Sequence, residues 1–244
     1  MAGGNNSSPG AYVHEYDMSG RPKPERSTVC VAMGPAKRGP VGQRTLCLGG
    51  DDFKMKFGKP DAKLTFAHHC CLSYFNGGVQ LYYTRLAPEA QYGGVVCRFD
   101  GRFNSLHSWD EGTEYPSEYP FTDEDLFIVY AENPGEWSKD YYVALVPNTK
   151  NMASNTFTLS LYTRGRSIPL RSYEVSLDYQ KNGFGVQLRA DDHINSRDDD
   201  IRVLINENHP LLKKNQAFRY VNTLNIDDGE QAGVRITGGT DGRE

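Results

Sequence analysis

The chain has no long hydrophobic run. No apolar stretch in its 244 residues approaches the ~20 needed for a helix to cross a bilayer, so no membrane partner is expected. It also lacks a strong charge of either sign. Lys and Arg total 27 against 31 Asp and Glu, a formal charge of -4, and the strongly basic face of a direct nucleic-acid binder is not expected. The amino-terminal run from Met1 to Gly10 has neither the basic start nor the apolar centre of a secretory signal, so synthesis and assembly in a cytoplasm are expected. Cysteine is sparse. Cys30, Cys47, Cys70, Cys71 and Cys97 are odd in number and show no CxxC spacing. A chain of this length does not need disulfide staples, so buried free thiols are the expectation.

Motifs for chemistry are missing as well. There is no GxSxG, P-loop or HExxH, and Gly183-Phe184-Gly185 is too short for a dinucleotide fingerprint. His68-His69-Cys70-Cys71 is the most metal-like group. Adjacent helical residues point in different directions, so at most His68 and Cys71 share a face, and zinc needs three or four ligands. Core thiols flanked by surface histidines are expected instead. Asp191-Asp192 through Asp198-Asp199-Asp200 could offer oxygens to calcium but lacks the Asp-x-Asx-x-Asx-Gly spacing, so a solvated loop is expected. No catalytic, cofactor-binding or metal-ligating residue and no cofactor is nominated, and an enzyme is not expected.

What is present is a strand-rich pattern behind a polar leader. Fifteen Tyr, 11 Phe and 25 Gly suit pleated surfaces and turns. Residues 1–26 read as an extended arm holding one short strand, Ala11-Tyr12-Val13-His14-Glu15-Tyr16. A lone strand has unpaired backbone groups and becomes stable only by joining a sheet, either its own or a neighbour's. Residues 27–87 read as a partial α/β domain. Its strands fall at Thr28–Met33, Thr45–Leu48 and Val79–Leu86, the last with Val79, Leu81 and Tyr83 on one face. Its helices fall at Asp51–Gly58 and Asp61–Asn76, the second with Leu64, Ala67, Cys71 and Tyr74 in one stripe. Gly34-Pro35 and Gly39-Pro40 bracket a basic turn with no room for a helix. Residues 88–226 read as a β-rich outer domain, with strands at Leu126–Tyr130 and Tyr141–Val146. Phe157, Leu159 and Leu161 alternate with polar residues, as do Tyr173, Val175, Leu177 and Tyr179. Ile201–Ile205 reads as a strand or a short helix, and residues 227–244 as a loop. The expected class is mixed α+β.

Several short motifs stand along the chain in the order in which one family of structural proteins carries them. Ser8-Pro9-Gly10-Ala11-Tyr12-Val13-His14-Glu15 matches their Ser-Pro-Gly-x-Tyr-x-x-Glu arm. Ser27-Thr28 leads a strand into Gly34-Pro35-Ala36-Lys37-Arg38-Gly39-Pro40, similar to their Gly-Pro-Ala-x-x-Gly-Pro turn. Asp51-Asp52-Phe53 with Phe57-Gly58, Tyr74-Phe75-Asn76-Gly77-Gly78 and Tyr83-Thr84-Arg85 follow. Pro134-Gly135-Glu136-Trp137 resembles a Pro-Gly-x-Trp-Gly-Asn turn, with Ser138-Lys139-Asp140 where Gly-Asn is usual. Ser172-Tyr173-Glu174, Asn195-Ser196, Ile205-Asn206 and Gly238-Gly239-Thr240-Asp241-Gly242 come next, and the ordered series resembles contractile tail sheath proteins.

The resemblance implies a structural subunit of a virion tail that stacks as homo-oligomeric rings around a tail tube protein. It also implies contact with baseplate and tail-terminator proteins, Ala11–Tyr16 as an inter-subunit strand, and rearrangement on contraction to deliver a genome. Such subunits usually continue past the Gly-Gly-x-Asp-Gly loop into a larger α/β core. The expectation is therefore a fragment, one half of a split sheath, or a shorter paralogue. A sheath-like baseplate or initiator component is the alternative within the structural class. A carbohydrate-binding or carbohydrate-cleaving β-domain is the alternative outside it.

Overall fold

The computed structural model describes residues 29–60, 66–99, 104–147, 156–213 and 233–242. The arm strand Ala11–Tyr16 lies outside them, as do Asp61 and Leu64 of the expected second helix. The mixed α+β class is observed, with strands predominating.

The first unit runs β1 (Val29–Gly34), β2 (Arg44–Cys47), α1 (Gly50–Phe57), α2 (Phe66–Tyr74) and β3 (Gln80–Arg85). β3 lies in the middle of a three-stranded sheet, parallel to β1 and antiparallel to β2. Asp51 and Asp52 occupy the amino-terminal turn of α1, where the helix dipole favours carboxylates. Gly58 ends the helix, its N–H donating to Lys54 O at 2.9 Å. Strand alternation sends Leu81, Tyr83 and Arg85 to the helix-covered face, where the first two pack with Cys47, Phe53, Phe57 and Cys71. Val79 is exposed instead of sharing that face.

Two corrections concern α2. His68 is not a surface histidine: it is fully buried, with its ring centroid 4.7 Å from that of Phe53. Cys70, expected in the core, is exposed, while Cys71 is buried. A helix turns about 100° per residue, so His68 and Cys71, three apart, share the core face while His69 and Cys70 between them face solvent. Among the described residues no group of three or more His, Cys, Asp or Glu is placed to hold a metal ion. None of their helices is long and apolar enough to cross a membrane.

The second unit is a β-sandwich. It contains β4 (Gly94–Phe99), β5 (Asn104–Ser108), β6 (Asp125–Ala131), β7 (Tyr141–Pro147), β8 (Thr156–Thr163) and β9 (Arg171–Ser176). There follow α3 (Ala190–Asn195), β10 (Ile201–Ile205), α4 (Pro210–Lys213) and β11 (Val234–Arg235). One antiparallel sheet has the order β10-β6-β4-β5 and the other β11-β7-β8-β9. A single apolar cluster joins them: Val95, Cys97, Phe127 and Val129 from the first sheet meet Val143, Leu145, Phe157 and Leu159 from the second. The other face of the first sheet is also covered, where Val96 and Ile128 pack under Trp109 with Tyr119 and Phe121 beside them. Strand β6 is therefore buried on both faces, which is why Leu126-Phe127-Ile128-Val129 is a continuous apolar run rather than an alternation.

Ile201–Ile205 is a strand, paired with β6. The alternation expected through Tyr179 stops earlier. Ser176 N–H turns to Leu188 O at 2.7 Å, and Tyr179 is exposed.

Candidate functional site

Arg85 is the last residue of β3 and has no exposed surface. The alternation that buries Leu81 and Tyr83 carries it inward, where an unpaired guanidinium would cost several kcal/mol, on the order of that for any buried ion. Three partners receive it. Nη1 donates to Gly39 O at 2.9 Å and to Pro134 O at 2.7 Å, and Nη2 donates to Asp241 Oδ1 at 3.3 Å. Asp241 Oδ1 also accepts from Glu136 N at 3.1 Å. Burial lowers the Arg85 pKa, opposed chiefly by the Asp241 carboxylate.

The backbone around Arg85 is knitted at the same point. Gly42 N donates to Arg85 O at 2.9 Å and Leu86 N to Gly34 O at 2.9 Å. Gly135 sits at φ 143°, and a Cβ there would lie 2.8 Å from Asp241 Oδ1. Only glycine tolerates both that dihedral and that approach. Residues 233–242 are stitched to the sandwich: β11 pairs with β7, and Gln91 bridges Thr240 while Gly94 bridges Thr237.

A second arginine ties the basic turn to the acidic stretch before β10. Arg38 Nη2 donates to Met55 O at 2.6 Å and Nη1 to Asp200 Oδ1 at 3.3 Å, with the guanidinium 5.6 Å from the centre of the Trp137 ring. Arg171 reaches both Asp198 at 2.8 Å and Asp200 at 3.2 Å. Asp198 Oδ2 accepts from the Tyr173 hydroxyl at 2.7 Å. Burial, with that bond to Asp198, pushes the Tyr173 pKa up to about 12.

The solvated-loop expectation is thus overturned at Asp198 and Asp200, whereas Asp192 and Asp199 are exposed. Asp198 and Asp200 are buried, and Asp198 Oδ1 also accepts from the N–H of Asp200 at 2.7 Å and of Ile201 at 3.1 Å. Asp191 and Asp192 open α3. The missed signal is the supply of arginines elsewhere in the chain, which proximity in sequence does not reveal.

The three-stranded sheet also presents an open face. On β1, Val29, Val31 and Met33 alternate with Cys30 and Ala32. They point away from the helices, and Val31 and Met33 are about two-thirds exposed (66% and 64%). Pairing places Val31 beside Tyr82 and Tyr82 beside Leu46, extending the same face across all three strands. The Arg44 guanidinium lies 4.9 Å from the centre of the Tyr82 ring. β1 pairs with β3 along one edge and has no strand on the other among the described residues. An exposed edge with an apolar face is a template for further pairing.

No family model matches the chain, and no curated protein matches it. Among solved structures, it is similar to the sheath tail protein of Desulfitobacterium hafniense, with 14% identity and a TM-score of 0.46, over 96% of this chain and 40% of that one. It is also similar to a sheath tail protein of Listeria innocua, with 9% identity and a TM-score of 0.46, over 87% of this chain and 34% of that one. The chain thus spans 40% and 34% of the lengths of these two proteins, and both likenesses are distant.

Proposed function

We propose that this chain is a structural, non-enzymatic subunit of a contractile tail sheath in a virion. It polymerises as stacked rings around a tail tube, between baseplate and terminator proteins, and rearranges to drive the tube and genome into a host. The observation that carries this reading is the convergence on Arg85. The Gly34–Pro40 turn, the strand ending in Arg85, the Pro134–Trp137 turn and the Gly238–Gly242 loop each resemble sheath motifs in sequence. They are scattered over two hundred positions, yet Arg85 hydrogen-bonds into the other three. Motifs matched by chance have no reason to share one buried side chain.

The open edge of β1 adds support. A strand such as Ala11–Tyr16 from a neighbouring subunit makes main-chain bonds on such an edge. The segment Ser19–Arg26 then supplies the slack for rigid-body movement of the attached domains. Deletion of residues 1–18 should leave a folded body that forms no sleeves, and normal polymerisation of the deletion would sink the arm's role. Imaging of intact particles decides the wider reading. Many stacked rings containing this protein support a sheath, a single ring points to a baseplate component, and absence from particles rejects both.

A further inference from the structure

Beside the carboxyl end of α1 lies a groove of about 450 Å³, lined by Met55, Trp137 and Tyr141 and bordered by Lys37, Lys54 and Lys59. Among the described residues, Asp140 is the one carboxylate in its lining. Arg38 also lines it but is committed inward, to Met55 O and Asp200. Met55 is 63% exposed, an apolar side chain left bare between ammonium groups. Lys54 pairs with Asp51 at 3.1 Å, but the Asp51 side chain is fully exposed, so solvent screens that pair. The groove is built for a segment that brings an apolar group flanked by negative charge.

The chain itself carries such a segment. Between Arg102 and Lys139 the sequence has no Lys or Arg and nine Asp or Glu. Within this run a turn exposes Glu114, Tyr115 and Glu118, with Tyr115 55% exposed. The turn is rigid. The Thr113 hydroxyl donates to Tyr115 O at 3.2 Å and accepts from Tyr115 N at 3.3 Å, and Glu118 N donates to Tyr115 O at 3.0 Å. Behind it Tyr119 stacks on Trp109 at 5.3 Å between ring centroids. An aromatic presented on a fixed turn loses little conformational freedom when it docks.

We propose that the Glu114–Glu118 turn of one copy docks into the Lys37/Lys54/Lys59 groove of a second copy, with Tyr115 against Met55. The assignment rests on charge complementarity between two patches of one chain, and it deepens the assembly reading above. Made once between two copies, the contact leaves the groove of one and the turn of the other free and is then head-to-tail. Such a contact propagates into rings or filaments instead of closing a dimer.

Charge exchange on the full-length protein tests it. One variant carries Lys37→Glu, Lys54→Glu and Lys59→Glu, and the other Glu114→Lys and Glu118→Lys. Circular dichroism checks that both fold. By sedimentation velocity the wild type should self-associate at low salt and dissociate toward about 0.5 M salt. Each variant alone should associate at least tenfold more weakly, and an equimolar mixture should regain the heavier species. Lys54→Gln with Lys59→Gln should weaken association in the same direction without reversing a charge.

The proposal is overturned if either reversed variant associates like wild type, or if the mixture stays monomeric. Loss in the groove variant with normal association of the turn variant gives the groove to another acidic partner and also overturns it. The sheath reading is decided separately, by particle imaging. Reversed variants that still build normal sleeves remove this contact and leave that reading intact.

Discussion

Arg85 and Asp241 stand 156 positions apart in the sequence and meet at 3.3 Å, Nη2 to Oδ1. The pair is asymmetric: the arginine side chain has no exposed surface, whereas the aspartate is about half exposed (48%). Truncating the two partners therefore has unequal consequences. Arg85→Met leaves the carbonyls of Gly39 and Pro134 without their buried donor, at ~1–3 kcal/mol for each unsatisfied group. Asp241→Asn keeps an oxygen that can accept from Arg85 and from Glu136 N and leaves both carbonyls paired, so it removes only the charge facing the buried guanidinium and should cost less than Arg85→Met. Urea unfolding should rank Arg85→Met well below Asp241→Asn in midpoint, and equal losses would contradict the assignment of the carbonyls as the main partners.

Gly135 predicts a backbone effect at the same junction. Gly135→Ala forces a Cβ to 2.8 Å from Asp241 Oδ1 and Trp137 Cδ1 at φ 143°, and should cost ~2 kcal/mol or more in strain and displaced contacts. Gly165 is the control. It too has positive φ, at 75°, but a Cβ there meets nothing within 4 Å, so Gly165→Ala should cost only ~1–2 kcal/mol. A larger loss at position 165 than at 135 would reject close packing as the cause.

The legible parts of the fold are those whose cause is local. β1, β2, β8 and α1 follow from alternation, Gly-Pro breaks and an acidic helix start, all visible within a few residues of each element. β4 was harder because Val95, Val96 and Cys97 are all buried, so a central strand shows no alternation. β5 has one buried apolar side chain, Leu106, and carries almost no pattern. The Arg85 junction was legible only as separate motifs. Its hydrogen bonds span 46, 49 and 156 positions, and no periodicity encodes which carbonyl a buried arginine will find. The reversal at Asp198 and Asp200 has the same origin, since their partners Arg38 and Arg171 come from other elements.

His68 predicts a pH effect with a definite sign. Burial, reinforced by repulsion from His69 and only partly offset by the backbone of Gly58, holds its pKa below the ordinary 6.5. The unfolded chain takes up this proton near pH 6.5, and the folded chain takes it up only at lower pH. Protonation therefore favours unfolding. Stability is full above about pH 6.5 and falls as the pH drops toward the folded pKa, by at most ~1.4 kcal/mol per pH unit for one histidine. His68→Leu should flatten the stability profile on that acid side. His209, also buried and lowered, leaves a residual slope of the same sign. An unchanged slope in His68→Leu would place the proton uptake elsewhere.

The five thiols should react in an order set by exposure and charge. Cys70 is exposed and Cys30 half-buried, whereas Cys47, Cys71 and Cys97 are buried. Burial pushes the pKa of Cys47 and of Cys71 up to about 11 and raises that of Cys97 further. The thiolate is the nucleophile, so at pH 8 only about one in a thousand of the Cys47 or Cys71 thiols is reactive even before access is considered. Maleimide labelling of the native protein followed by peptide mapping should find Cys70 modified first and Cys30 more slowly. Cys47, Cys71 and Cys97 should react only at the rate of unfolding. Cys70→Ser should remove the fast phase without shifting the unfolding midpoint, because the side chain is exposed. Rapid native labelling of Cys47 or Cys71 would mean that α1 and α2 open away from the sheet, and the helix-covered core of the first unit would then be a transient state instead of a fixed one.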